Sequence, residues 1–261
     1  MTEALSRRLS RLFAPDGRCL IVAMDHAGFM DRPLAGLADP GPVIADTAAA
    51  GADAYLLTLG SATRHSAALG RAGLWLSVEA RAGQAAAQVE AALRLGADGI
   101  KTLVYPWSAE LPDSVADFTA LALVCRSWGL PVMAEVIPFG FQADPALRTP
   151  AKLAAGARIA MEAGADVIKT FYTDPGGFAE LRAYCPIPIV VLGGERAPDE
   201  AGVLASVRDA LAAGAAGVAI GRNIWQHPRP GGMTAGLAAL VHAGASVDEA
   251  LALTRRERPL R

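Results

Sequence analysis

The chain has 261 residues, 52% of them hydrophobic and 19% charged, with a formal net charge of −2. A chain of this length suits one large α/β barrel or two small domains, and its apolar content supplies a sizeable core. The near-neutral balance, with no basic stripe or acidic tail, excludes nucleic-acid and membrane-surface partners, and the low charge excludes a disordered chain.

Residues 1–17, MTEALSRRLSRLFAPDG, place arginines among apolar residues without the apolar core of a secretory signal. The pattern predicts a short amphipathic helix capping the bottom of a barrel. Cys19, Cys125 and Cys185 lack any CxxC spacing and read as small buried hydrophobes in a reducing compartment. No charge-free apolar run reaches the roughly eighteen residues that a membrane span needs, so a cytoplasmic protein is expected.

From there short apolar runs alternate with alanine- and leucine-rich segments. Strands are expected at 19–24, 54–58, 74–78, 98–104, 131–136, 166–170, 188–192 and 217–220. Helices are expected at 43–50, 84–95, 115–128, 151–163, 178–184 and 200–213. Continuous apolar strands are those buried on both faces of a parallel sheet. Four related tetrapeptides, at 50–53, 95–98, 163–166 and 213–216, each precede an even-numbered strand, and their glycines (Gly51, Gly96, Gly164, Gly214) suit a left-handed helix end. The repeat marks a barrel of quarters. An open doubly wound sheet is disfavoured because no glycine-rich dinucleotide fingerprint follows the first strand. The fold expected is therefore a (β/α)8 TIM barrel, one domain over residues 1–261.

In this fold catalytic groups lie where strands end. The first strand runs LIVAM into Asp25 and His26, the fourth carries Lys101, the fifth reaches Glu135 and the sixth carries Lys169. Charges among apolar strand residues are costly unless paired or functional. A purely structural ion-pair network is the competing reading, but such networks stabilise weakly. Two lysines and two carboxylates supply a nucleophile, a second cation and a proton carrier without metal. A lysine amine, freed by burial and a neighbouring cation, condenses with a carbonyl, and the iminium is an electron sink for C–C bond cleavage. Residue chemistry alone does not choose between Lys101 and Lys169. His26, His65, His227 and His242 show no ligand spacing, so no metal and no other cofactor is expected; His26, beside Asp25, is a candidate for positioning substrate.

The seventh strand ends in Gly193, Gly194, Glu195 and Arg196, and the eighth in Gly221 and Arg222. Loops at these places commonly hold phosphate, glycines letting backbone N–H groups approach the anion and an arginine adding charge. A phosphorylated small molecule is the expected partner. Arg64, His65, Trp107, Phe139 and Phe141 are candidates for the pocket beyond it. Alanine-rich helices with Trp107, Trp128 and Trp225 suggest subunit contacts, so a homo-oligomer is expected.

The runs AMDHAGF (23–29), GADVIKTFY (164–172), VVLGGE (190–195) and AIGRNIWQ (219–226) resemble the DeoC/FbaB/LacD class I aldolase family across most of the chain. The resemblance implies Lys169 as the Schiff-base residue. Ile137 stands where a subgroup of fructose-bisphosphate aldolases has a tyrosine. IKTLVYP (100–106) and AEV (134–136) are instead similar to tagatose-bisphosphate and sulfofructose-phosphate aldolases, which implies Lys101 and Glu135 beside the imine, Asp25 on a substrate hydroxyl, and cleavage of a ketose phosphate to dihydroxyacetone phosphate and an aldehyde. Residues 25–40 also resemble the family's thiolase branch. A thiolase or transaldolase-type transferase acting through Lys169, and a non-catalytic sugar-phosphate-binding regulator, are the alternatives.

Overall fold

Each strand places alternate side chains on opposite faces, and in this chain both faces are apolar. A computed structural model describes residues 3–255. Its strands β1 (Cys19–Ala23), β2 (Ala54–Thr58), β3 (Gly73–Ser77), β4 (Gly99–Val104), β5 (Val132–Val136), β6 (Val167–Thr170), β7 (Ile189–Leu192) and β8 (Gly217–Ile220) are all parallel and pair in sequence order, β1 closing against β8. One column of residues points into the barrel: Ile21, Ala23, Leu56, Trp75, Met133, Val167, Val190 and Ala219 form its interior cluster. The other column packs outward under the helices in a larger cluster that includes Leu20, Val22, Tyr55 and Ile168.

Helix α1 (Glu3–Leu12) caps the bottom, with Leu12 fully buried against the interior cluster. The remaining helices are α2 (Pro40–Ala49), α3 (Leu59–His65), α4 (Ala85–Arg94), α5 (Ser114–Ser127), α6 (Pro150–Glu162), α7 (Pro175–Tyr184), α8 (Glu200–Ala212), α9 (Arg222–Trp225), α10 (Pro230–Ala243) and α11 (Val247–Arg255). Among the described residues no helix is long and apolar enough to cross a membrane.

The fourfold repeat has a structural cause. Gly51, Gly96, Gly164 and Gly214 all have positive φ and end the helices before the even strands. In three quarters the following aspartate then accepts a backbone N–H from the preceding odd strand: Asp53 from Leu20 at 2.6 Å, Asp98 from Leu74 at 3.1 Å and Asp166 from Val132 at 3.0 Å. Each aspartate also faces a cation: His242 at 2.9 Å, Arg11 at 3.0 Å and Arg126 at 3.6 Å respectively. The fourth quarter has Ala216 at this place.

Three expectations are corrected. The helix expected at 43–50 spans Pro40–Ala49, because Asp39 caps it by accepting from Gly41 N and Pro40 takes the first helical position. The helix expected at 178–184 begins at Pro175, because Asp174 caps it by accepting from Gly177 and Pro175 takes the first helical position, a start hidden by the adjacent Gly176–Gly177 pair. Trp225 offers no surface: it is 2% exposed and donates its indole N–H to Ala23 O at 3.0 Å, fixing α9 to the end of β1.

Candidate active site

Period-two alternation aims four charged side chains into the mouth, one step above the apolar interior: Asp25 beyond Ala23, Lys101, Glu135 beyond Met133, and Lys169 beyond Val167. The register sets Glu135 beside Lys169 and Ser77 beside Lys101 on neighbouring strands. All four ionisable groups are buried, none more than 6% exposed. They form one chain of ion pairs. Asp25 Oδ2 lies 2.8 Å from Lys101 Nζ, Lys101 Nζ lies 2.7 Å from Glu135 Oε2, and Glu135 Oε1 lies 2.7 Å from Lys169 Nζ. Ser77, absent from the sequence expectations, donates to Asp25 Oδ2 at 2.8 Å and lies 3.3 Å from Lys101 Nζ. A lone serine at a strand end carries no sequence signal; only the register reveals it.

The two lysines are not equivalent. Lys101 is surrounded by Asp25, Glu135 and Ser77. Burial alone would lower its pKa, but the two carboxylates outweigh burial and hold it above the ordinary lysine range, as a fixed ammonium. Burial would likewise raise Asp25 and Glu135, yet Lys101 and then Lys169 overcome it and keep both carboxyls below their usual range. Among the described residues Lys169 makes one ion pair, to Glu135, and it lines a cavity of about 460 Å³.

That cavity extends from Lys169 and Glu135 to Gly193, Gly194, Gly221 and Arg222, and also takes in Asp25 and His26. A Cβ on Gly221 would meet Ala23 O at 2.5 Å and His26 Cε1 at 2.6 Å, so only glycine lets β8 end this close to the site. Arg222 reaches Glu195 through Nη1 at 3.4 Å, while its buried Nε has no hydrogen-bond partner among the described residues. Asn223 joins the two glycine loops, donating from Nδ2 to Gly193 O and Glu195 O, each at 3.0 Å, and accepting from Ala197 N at 2.9 Å.

His26 packs edge-on to Trp225, its Nδ1 buried without a hydrogen bond among the described residues and 3.7 Å from Asp25 Oδ1. Burial brings its pKa down to about 4 against the pull of Asp25, with Lys169 and Arg222 acting in the same direction, so the ring is neutral at neutral pH. The cavity also contains Arg148, a residue the sequence reading passed over, whose Nη2 donates to Gly140 O at 2.9 Å and Phe141 O at 3.0 Å. Of the residues expected in an outer pocket only Phe141 lines this cavity. Arg64 turns back to Gly60 O at 2.9 Å, and Trp107 stacks on Phe139 beneath Lys152. Arg196 is exposed and outside it.

Residues 19–227 match the model of the DeoC/LacD family aldolase. The chain is 37% identical over 251 residues to a 2-amino-4,5-dihydroxy-6-oxo-7-(phosphonooxy)heptanoate synthase of Streptomyces griseus, covering 92% of this chain and 90% of that one. It is 36% identical to a 2-amino-3,7-dideoxy-D-threo-hept-6-ulosonate synthase of Halobacterium salinarum, covering 97% of each. Among solved structures it superposes on an archaeal fructose 1,6-bisphosphate aldolase with a TM-score of 0.78 at 29% identity, over 92% of this chain and all of that one. It also superposes, with a TM-score of 0.77 at 28% identity, on an archaeal fructose-1,6-bisphosphate aldolase whose catalytic lysine is covalently bound to the substrate's carbinolamine intermediate, over 91% of this chain and 99% of that one. A closed parallel barrel, a buried lysine open to its mouth and these relatives agree: the chain belongs to the DeoC/LacD family of class I, Schiff-base aldolases.

Proposed function

We propose that the protein makes and breaks the bond between C3 of dihydroxyacetone phosphate and an aldehyde carbon, through an imine on Lys169. The observation that carries this reading is the asymmetry of the lysines: Lys101 is enclosed by anions, whereas Lys169 faces the cavity with Glu135 beside it.

In the cleavage direction Lys169 transfers a proton to Glu135 and its lone pair attacks the C2 ketone, whose oxygen leaves as water. Glu135, deprotonated again, removes the C4 hydroxyl proton. The C3–C4 electron pair then moves into the iminium, the aldehyde departs and an enamine remains. Protonation at C3 and hydrolysis release dihydroxyacetone phosphate and restore the amine. Lys101 stays charged throughout and balances Glu135 and Asp25, with Asp25 aimed at a donor hydroxyl. Gly193, Gly194, Gly221 and the unpartnered Nε–H of Arg222 receive the phosphate. His26, a neutral ring, orients the donor between these ends.

The same steps reversed build the bond, and the names of two relatives favour that direction. Both are synthases, and one name places a 6-oxo group beside a 7-phosphonooxy carbon and a 5-hydroxyl, the pattern of a dihydroxyacetone phosphate unit in an aldol adduct. Incubation with dihydroxyacetone phosphate and borohydride, followed by intact-mass measurement, tests the reading. One reduced donor adduct per chain is expected on wild type and none on Lys169→Ala; an adduct of equal yield on the variant contradicts it.

A further inference from the structure

After the aldehyde leaves, C3 of the enamine must gain a proton before the imine is hydrolysed, and the charged groups of the mouth are committed elsewhere. Asp25 is held as a carboxylate and His26 as a neutral ring. Glu135 serves the nitrogen of Lys169 and the C4 hydroxyl. Lys101 is charged, but its three N–H directions are taken by Asp25 at 2.8 Å, Glu135 at 2.7 Å and Ser77 at 3.3 Å.

Tyr105 stands just above them. Along β4, Ile100 and Val104 pack outward under the helices, so Lys101, Leu103 and, one step past the strand's end, Tyr105 face the mouth. Its backbone is held on two sides. Ser114 Oγ accepts the Tyr105 N–H at 2.9 Å, and Ile137 N donates to Val104 O at 3.0 Å, carrying the β4–β5 ladder beyond its last pair to the level of Tyr105. The phenol thus lies one inward step above Leu103, the register partner of Glu135.

The ring stands where two spaces meet. It lines a cavity of about 490 Å³ over β3 and β4 that shares Asp25 and Phe29 with the cavity of Lys169. It also packs edge-on to Phe141 of that second space, at 6.1 Å between ring centroids. Among the described residues the Tyr105 hydroxyl has no hydrogen-bond partner. Burial, and after it the charge of Glu135, outweigh Lys101 and push the phenol up to about 12, so it carries its proton at neutral pH. A donor to a carbanion needs that form.

Resting on the aldolase reading above, we propose that Tyr105 is a further catalytic residue, the acid–base group that exchanges the proton at C3 of the donor. In cleavage the C2–C3 π pair of the enamine forms the new C3–H bond with the phenol's proton. The nitrogen lone pair restores the iminium, and the phenolate recovers a proton from water. In synthesis the phenolate removes the C3 proton and the same electrons return to the enamine.

The experiment needs donor alone. Dihydroxyacetone phosphate is incubated with the enzyme in deuterated water, deuterium entering C3 is followed by NMR, and borohydride trapping is measured by intact mass on the same samples. Wild type is expected to exchange C3 hydrogen and to give the adduct. Tyr105→Phe should keep the adduct at wild-type yield and lose exchange by roughly a hundredfold or more. Replacing Tyr105 by 3,5-difluorotyrosine keeps the ring and makes the phenol more acidic, so the rise of exchange rate with pH should move to lower pH. Exchange in Tyr105→Phe within about threefold of wild type would leave the step to Glu135 and overturn the proposal. Joint loss of adduct and exchange in Tyr105→Phe, which marks a structural role, overturns it as well, and so does a pH profile that fluorination leaves in place. No adduct on wild type refutes the aldolase reading beneath it, whereas an adduct with exchange indifferent to Tyr105 refutes this assignment alone.

Discussion

Each of the four charges in the mouth depends on the others. Removing one member of a buried ion pair leaves an uncompensated charge, at a cost of roughly 3–5 kcal/mol. Lys101→Met is therefore expected to destabilise the fold by about that much in denaturant titrations at pH 7. The contribution has a definite pH sign. Asp25 and Glu135 are held below their ordinary values of 3.8 and 4.5, so the pairing stabilises fully above those values and fades as pH falls toward the lower folded-state values. The gap between wild type and Lys101→Met should accordingly narrow in acid, and a gap that widens below pH 4 contradicts the assignment. Glu135→Gln tests the chemical role, since it keeps the shape and removes the proton acceptor. Turnover is expected to fall by roughly 10²–10⁴-fold, with the donor imine still trapped by borohydride but forming more slowly, because Lys169 must then lose its proton to water. The charges themselves were legible in the sequence because each interrupts an apolar run. Ser77 and Arg148 were not, since a serine at a strand end and an arginine in a loop are ordinary there, and only closure of the barrel brings them to the site.

At the scale of elements, the period-two strands and the glycine that ends each quarter were readable, and the strands lie where expected to within a residue. Boundaries failed where capping chemistry overrode composition, as at Pro175. Helix α3 went unread because it follows β2 without a turn residue between them. The repeated aspartates had a visible spacing but no visible purpose, because their partners lie on other strands. His242 shows what such a clasp contributes: it bridges Asp16 at 2.8 Å and Asp53 at 2.9 Å, tying α10 to the loop before β1 and to the start of β2. Its pKa is raised above 6.5, the two carboxylates outweighing burial. The stabilisation is thus complete below pH 6.5 and declines as pH rises through the folded-state value. His242→Gln should cost more stability at pH 5.5 than at pH 8.5, by thermal denaturation; an equal or reversed difference contradicts the charged clasp.

For the whole molecule, the barrel divides its labour by end. The bottom is closed by α1 and by aspartates that hold strand starts, and the top collects the buried charges, the glycine loops and the cavity that Lys169 lines. Fold and top face followed from periodicity, but the choice between two strand lysines did not, because both occupy strands of the same pattern. Their surroundings differ only once the sheet is closed. The most direct measurement is peptide mapping by tandem mass spectrometry after borohydride trapping with dihydroxyacetone phosphate. The expected result is a single reduced adduct on the peptide bearing Lys169, with the Lys101 peptide unmodified. An adduct on Lys101 or on Lys152, the one other lysine of the chain, with Lys169 free, would contradict the account.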